Sequence, residues 1–187
     1  MRNLEDANVE RISLLAADVS AAIQSDGEAS PAEVEAILEA MFLMAVVDGE
    51  VSDVEIRQFA RSCEPLVGDL TESDVEGTLL SMAGTLADEG WPRRAAHVGQ
   101  VLAGSRLKEL AFRLAVAVAM IDDYVANAEA AAIDTLSNAF GFEPEHSDTL
   151  VKQVYGELFG ASLETPWTSC TSRASSLLTP RSVASRT

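Results

Sequence analysis

Apolar positions along this chain recur with a helical period in block after block, and short runs of Gly, Pro, Ser and Asp separate the blocks. Leu4, Asn8, Ile12, Leu15, Val19 and Ala22 trace one mostly apolar stripe, which predicts an amphipathic helix over residues 4–24. A break at Ser25, Asp26 and Gly27 follows. Ser30, Pro31 and Glu33 then supply an N-cap, a proline at the first helical position and an acid in the first turn, for a helix reaching about Val47. Ser52 and Glu55 form the S-x-x-E capping box of a helix over about 53–64, and Thr71 with Asp74 starts another over about 72–87. Pro92 opens a helix over about 92–103, and three more are expected over about 106–121, 127–139 and 145–159, the last introduced by Gly141 and Pro144. The pattern predicts an all-α protein.

Two of these blocks repeat each other at an offset of 74 residues. Residues 43–56 read LMAVVDGEVSDVEI and residues 117–130 read AVAMIDDYVANAEA, so that Ala45 falls on Ala119, Asp48 on Asp122, Val51 on Val125 and Glu55 on Glu129, while Asp53 meets Asn127. Asp74 and Asp148 keep the same offset. The repeat predicts two three-helix units, about 31–87 and 106–159, joined by a connecting helix and preceded by the N-terminal one. Neither unit is large enough to enclose a core alone, so the two are expected to pack around one. The chain then divides into an N-terminal helix and turn (1–28), one helical domain (29–164) and a tail (165–187). The tail holds 11 Ser or Thr in its 23 residues, with no acid, three Arg and two Pro, a composition expected to be disordered.

Charge sharpens this picture. The chain has 30 acids against 13 bases, a formal net charge of −17. Arg173, Arg181 and Arg186 are the only ionisable residues after Glu164, so the part before the tail carries ten bases against 30 acids, a net charge of −20. Nucleic-acid backbones and anionic membrane surfaces need clustered Lys and Arg, and neither is an expected partner. The longest apolar runs, 40–47 and 114–121, fall far short of the ~20 residues a membrane span needs, so direct membrane insertion is not expected. Glu5 and Asp6 stand where a signal peptide would be apolar. Cys63 and Cys170 form no disulfide framework, and a cytoplasmic setting is expected.

The candidate chemistry lies in the repeated acidic loops. Asp48 and Asp122 follow the C-terminal ends of helices, where unsatisfied carbonyls already carry partial negative charge. A helix end there prefers Lys or Arg by ~0.3–1 kcal/mol, so the gathering of Asp48, Glu50 and Asp53 calls for a compensating positive charge. A divalent cation would supply it. Calcium or magnesium suits carboxylates and backbone carbonyls better than zinc does, since neither loop contains Cys or His. The candidate ligands are Asp48, Glu50, Asp53, Glu55, Asp122, Asp123 and Glu129. A plainer reading stands beside this one: Glu55 and Glu129 sit where capping acids belong, Asp53 and Asn127 are ordinary first-turn residues, and Gly49 suits a helix end. An EF-hand is excluded, because counting from Asp48 puts Phe59 at the twelfth position, where a bidentate Glu is required, and Asp53 at the sixth, where Gly is required.

With those residues in view, the chain resembles the TerB-like tellurite-resistance family. The resemblance is carried by Asp48, Gly49, Glu50, Val51 and Ser52 with Glu55 following, and by the stretch from Ile121 to Glu129 with the helix end Leu136, Ser137, Asn138, Ala139, Phe140, Gly141, Phe142. It covers about residues 31–159. It implies an all-helical duplicated domain whose acidic residues chelate a metal, acting in bacterial stress and tellurite-response systems with membrane-associated and other protein partners. Asp123, Tyr124 and Ala126 depart from the Gly, Glu and Ser of the first repeat, so the second site is expected to be the weaker. Tellurite is an oxyanion and is repelled by so acidic a body, which favours metal sensing or partner assembly over direct binding.

Enzymatic readings find less in the sequence, and the chain is expected to be non-enzymatic. Glu143 and His146 make one E-x-x-H, but the offset partner of His146 is Glu72, and Pro144 puts the motif at a helix start, as a surface cap. Residues 77–84, GTLLSMAG, lack the Lys of a phosphate-binding loop. Met41, Met44 and Met120 are expected in the core. Residues 88–94 are expected to form a solvated turn between units, with Trp91 as an ordinary packing residue. The alternatives to cation binding are an acidic protein-interaction scaffold with no metal and, further off, a metal-dependent hydrolase.

Overall fold

The computed structural model describes residues 29–47, 72–120 and 127–159, together with Ala17, Ala21 and Phe59 as single positions. Among the described residues the regular structure is entirely helical, in six helices: α1 (Pro31–Ala45), α2 (Glu72–Glu89), α3 (Trp91–Val101), α4 (Lys108–Ala119), α5 (Asn127–Phe140) and α6 (Pro144–Phe159). Each coincides, within two residues at either end, with a helix the periodicity predicts. The expected helices over 4–24 and 53–64 and the tail over 165–187 lie outside the described residues, apart from Ala17, Ala21 and Phe59, all three helical.

α1 starts as its sequence dictates. The Ser30 hydroxyl accepts from the Glu33 amide, and the Glu33 carboxylate accepts from the Ser30 amide at 2.9 Å, a reciprocal capping box with Pro31 at the first helical position. Every residue from Ala36 to Met44 is buried, Glu39 included. In α4, Ala111, Phe112 and the whole run from Leu114 to Ala119 are buried. Helices apolar on nearly all sides belong in a core, and α1 and α4 pack against each other as the central pair. Fully enclosing Ile37, Leu43, Phe112 or Leu114 contributes about 1.5–3 kcal/mol each as an upper estimate. Met41, Met44 and Met120 are buried in this core, as expected.

The two central helices end alike. α1 closes at Ala45, with Val46 at φ −109° and ψ 13°, and α4 closes at Ala119, with Met120 at φ −98° and ψ 10°. Around the pair, α3 packs on α1 and α5, α6 packs on α4, and α2 lies on α1 and α3. Gly99 is buried where α3 meets α5, so close that a Cβ there would overlap the Ala139 carbonyl oxygen. Gly141, at φ 67°, ends α5: its amide donates to Asn138 O and the Phe142 amide donates to Ser137 O, a Schellman closure. That turn returns Phe142 onto Phe112 and Phe140, edge to face, with centroids 5.3 and 5.8 Å away.

One expectation is corrected here. Residues 88–94 are not a solvated turn: α2 runs to Glu89, α3 begins at Trp91, and Gly90 alone, at φ 80°, separates them. The helices continue because Pro92 fits the first turn of α3, and because Trp91 and Arg94 are drawn inward by partners on α1 that lie far away in sequence.

Candidate functional site

Of the acids the sequence singles out, Asp48, Glu50, Asp53, Glu55, Asp122 and Asp123 lie outside the described residues. Glu129 lies in the first turn of α5 and is half-buried. Among the described residues no three His, Cys, Asp or Glu side chains are placed to share a metal ion. What the structure does describe is the end of the helix that precedes Asp48 in the chain, the last two turns of α1.

Two polar clamps fix those turns to α3. The Arg94 guanidinium forks onto Glu39, with Nε donating to Oε1 at 2.6 Å and Nη2 donating to Oε2 at 2.8 Å, while Nη1 donates to Glu89 Oε2 at 3.1 Å. One turn further along α1, the Trp91 indole Nε1 donates to the Leu43 carbonyl at 2.9 Å. Residue 39 meets 94 and residue 43 meets 91, so α1 and α3 run antiparallel along this seam. The Arg94–Glu39 pair is desolvated, with side chains 15% and 5% exposed. The Glu39 carboxylate raises the Arg94 pKa, and the hydrogen bond from Arg94 in turn holds the Glu89 carboxyl below the usual carboxylate range.

Beside the clamp lies a half-open cleft of about 430 Å³ between α1 and α2. It is lined by Glu35 and Glu39 on α1, by Asp74 and the hydroxyls of Ser73, Thr78, Ser81 and Thr85 on α2, and by Arg94 on α3. The Thr78 and Thr85 hydroxyls donate to the carbonyls of Asp74 and Ser81, which leaves their oxygens as acceptors. Since Arg94 is engaged by two carboxylates, the cleft presents mainly acceptors and negative charge, a surface suited to cationic groups.

Two further clusters hold other elements in place. Ser105, in the loop before α4, donates to Glu33 Oε1 at 2.6 Å and accepts from the Leu107 amide, tying the capping box of α1 to the start of α4. These hydrogen bonds, that from Ser105 first, hold the Glu33 carboxyl below its ordinary range. His146 lies in the first turn of α6, exposed as expected, 2.9 Å from Glu109 and edge-on to Phe142. Asp134 on α5 is pushed up by burial, with a smaller contribution from Asp148.

Neither clamp was read from the sequence, though one signal was present. Glu39 is the single charged residue in the apolar run 36–47, and a buried acid demands a cationic partner. Comparison with protein-family models, with curated proteins and with solved structures finds no match to this chain.

Proposed function

We propose that this chain is a non-enzymatic, TerB-like helical domain that binds a divalent cation, calcium or magnesium rather than zinc, through the Asp48 loop and more weakly through the Asp122 loop. Its role is metal-linked sensing or scaffolding in a bacterial stress or tellurite-response system of the cytoplasm, with a protein partner, membrane-associated or free. One observation carries the reading. α1 and α4 close at Ala45 and Ala119, 74 residues apart and with closely similar cap conformations, and this is the offset that superposes Asp48 on Asp122 in the sequence. Two helices with matched ends, paired at the centre of the core and each leading into an acidic stretch, are what a duplicated loop site requires. Asp48, Glu50, Asp53 and Glu55 would serve the first site, and Asp122, Asp123 and Glu129 the second. Calorimetric titration of chelator-stripped protein with calcium and with magnesium is expected to show binding that Asp48→Asn weakens more than Asp122→Asn. Titrations with no heat above dilution would refute it.

A second reading is favoured by the acceptor-lined cleft between α1 and α2: an acidic interaction scaffold that meets a basic protein segment without metal. Partner capture that falls steeply with salt and ignores chelator would select it over the first.

A further inference from the structure

α2 meets the core along one narrow stripe. Among its described residues the buried apolar side chains are Val75, Leu79 and Met82, spaced four and three apart, while Gly77, Leu80, Ala83, Gly84 and Ala87 face solvent, Leu80 at 63% exposure. α1, by contrast, buries every residue from Ala36 to Met44. A helix this thinly packed must draw on its own propensity, and α2 has little. Gly77 and Gly84 stand inside it with open space where a Cβ would be, so packing does not require them, and each costs the helix backbone entropy relative to Ala. The Thr78 and Thr85 hydroxyls donate to carbonyls one turn back, at Asp74 and Ser81, and compete there with the helical ladder. The last turn holds no base, and Asp88 and Glu89 meet the negative end of the helix dipole.

The two ends of α2 are held unequally. At its C-terminus Glu89 accepts from Arg94 at 3.1 Å, and Gly90, at φ 80° and with nothing within 4 Å of its Cβ position, is the single residue before α3. We infer that α2 is a lid hinged at Gly90, which detaches from α1 and α3 as a unit while α1 stays paired with α4 and α3, α5 and α6 stay in place. Opening uncovers the apolar strip beneath Val75, Leu79 and Met82. It also removes Asp74 and the hydroxyl row from the cleft, so the acceptor-lined cleft exists only while α2 is docked. A ligand that meets both α1 and α2 in the cleft selects the docked helix.

Hydrogen–deuterium exchange of the full chain under native conditions, corrected for intrinsic rates, tests this. The slowest amides of residues 72–89 are expected to exchange about a hundredfold faster than the slowest amides of α1 and α4. Ser105→Ala loosens the tie between the starts of α1 and α4. It is expected to speed the slowest amides of those two helices about fivefold and to leave those of α2 within about twofold, because that tie persists while the lid is open. Gly77→Ala combined with Gly84→Ala is expected to slow the α2 amides about tenfold. Slowest α2 amides that exchange at the rate of the α1 and α4 core, or that speed in step with that core in Ser105→Ala, show that α2 leaves only in global unfolding and overturn the inference. Unchanged α2 exchange in the double glycine variant overturns it as well.

Discussion

The Arg94 guanidinium and the Glu39 carboxylate form a two-point hydrogen-bonded pair, at 2.6 and 2.8 Å, on the buried seam between α3 and α1. Glu39 is the one acid in the buried stretch of α1 from Ala36 to Met44, and Arg94 is the reason it can lie there. Removing one partner strands the other in the core. Glu39→Gln is expected to cost about 3 kcal/mol in urea unfolding. The double replacement Glu39→Leu with Arg94→Met is expected to recover most of that loss, because two buried charges replaced by apolar groups cost far less than one left alone. A double variant no more stable than the single one would show that the pair serves more than charge neutralisation.

Glycines on two helices separate close packing from idle flexibility. Gly99→Ala drives a methyl into the Ala139 backbone at the α3–α5 crossing, where neither helix can yield cheaply, and is expected to destabilise by about 3 kcal/mol or more. Gly77 and Gly84 lie inside α2 with nothing within 4 Å of the position a Cβ would take, so Gly77→Ala and Gly84→Ala are each expected to stabilise by about 0.5–1 kcal/mol. Thermal unfolding of the three single variants reads both signs.

Acidification should act in opposite directions at Glu33 and Asp134. The folded-state pKa of Glu33 is lowered, so its contribution is complete above the ordinary carboxylate range and lost as pH falls through the folded value. Ser105→Ala removes the largest cause. The melting deficit of that variant is expected to be greatest near neutral pH and to shrink in acid to a remainder set by the lost acceptor of the Leu107 amide. Asp134 is raised, so its ionised form costs stability above its folded pKa, and that cost disappears below the ordinary Asp value. Asp134→Asn is expected to melt higher than wild type at neutral pH, with a gain that shrinks to nothing on acidification.

The helices were legible in the sequence because local signals agreed with tertiary need. The capping box of Ser30 and Glu33, the prolines at positions 31, 92 and 144 and the glycine at 141 all stand at real helix ends. In the sequence the apolar runs 40–47 and 114–121 show only that they are too short to span a membrane, and the pairing of α1 with α4 at the centre is what the structure adds. The junction at Gly90 was not, because residues 88–94 are rich in charge, Gly and Pro and resemble a loop by composition. Trp91 and Arg94 are claimed by α1 through contacts spanning 48 and 55 residues, which no local pattern encodes. Of the candidate cation ligands, Glu129 alone falls among the described residues, so the site itself stands on the repeat in the sequence and on the matched ends of the helices leading into it.

Thermal unfolding of chelator-stripped protein with calcium, magnesium, manganese or zinc added separately, beside an Asp48→Asn, Asp122→Asn double variant, tests the central claim most directly. Calcium or magnesium at about 100 times its dissociation constant should stabilise the native state by about 2.7 kcal/mol, and the double variant should show little of that shift. Equal melting temperatures with and without every cation, or an undiminished shift in the double variant, would contradict the claim and turn attention to the acidic cleft between α1 and α2.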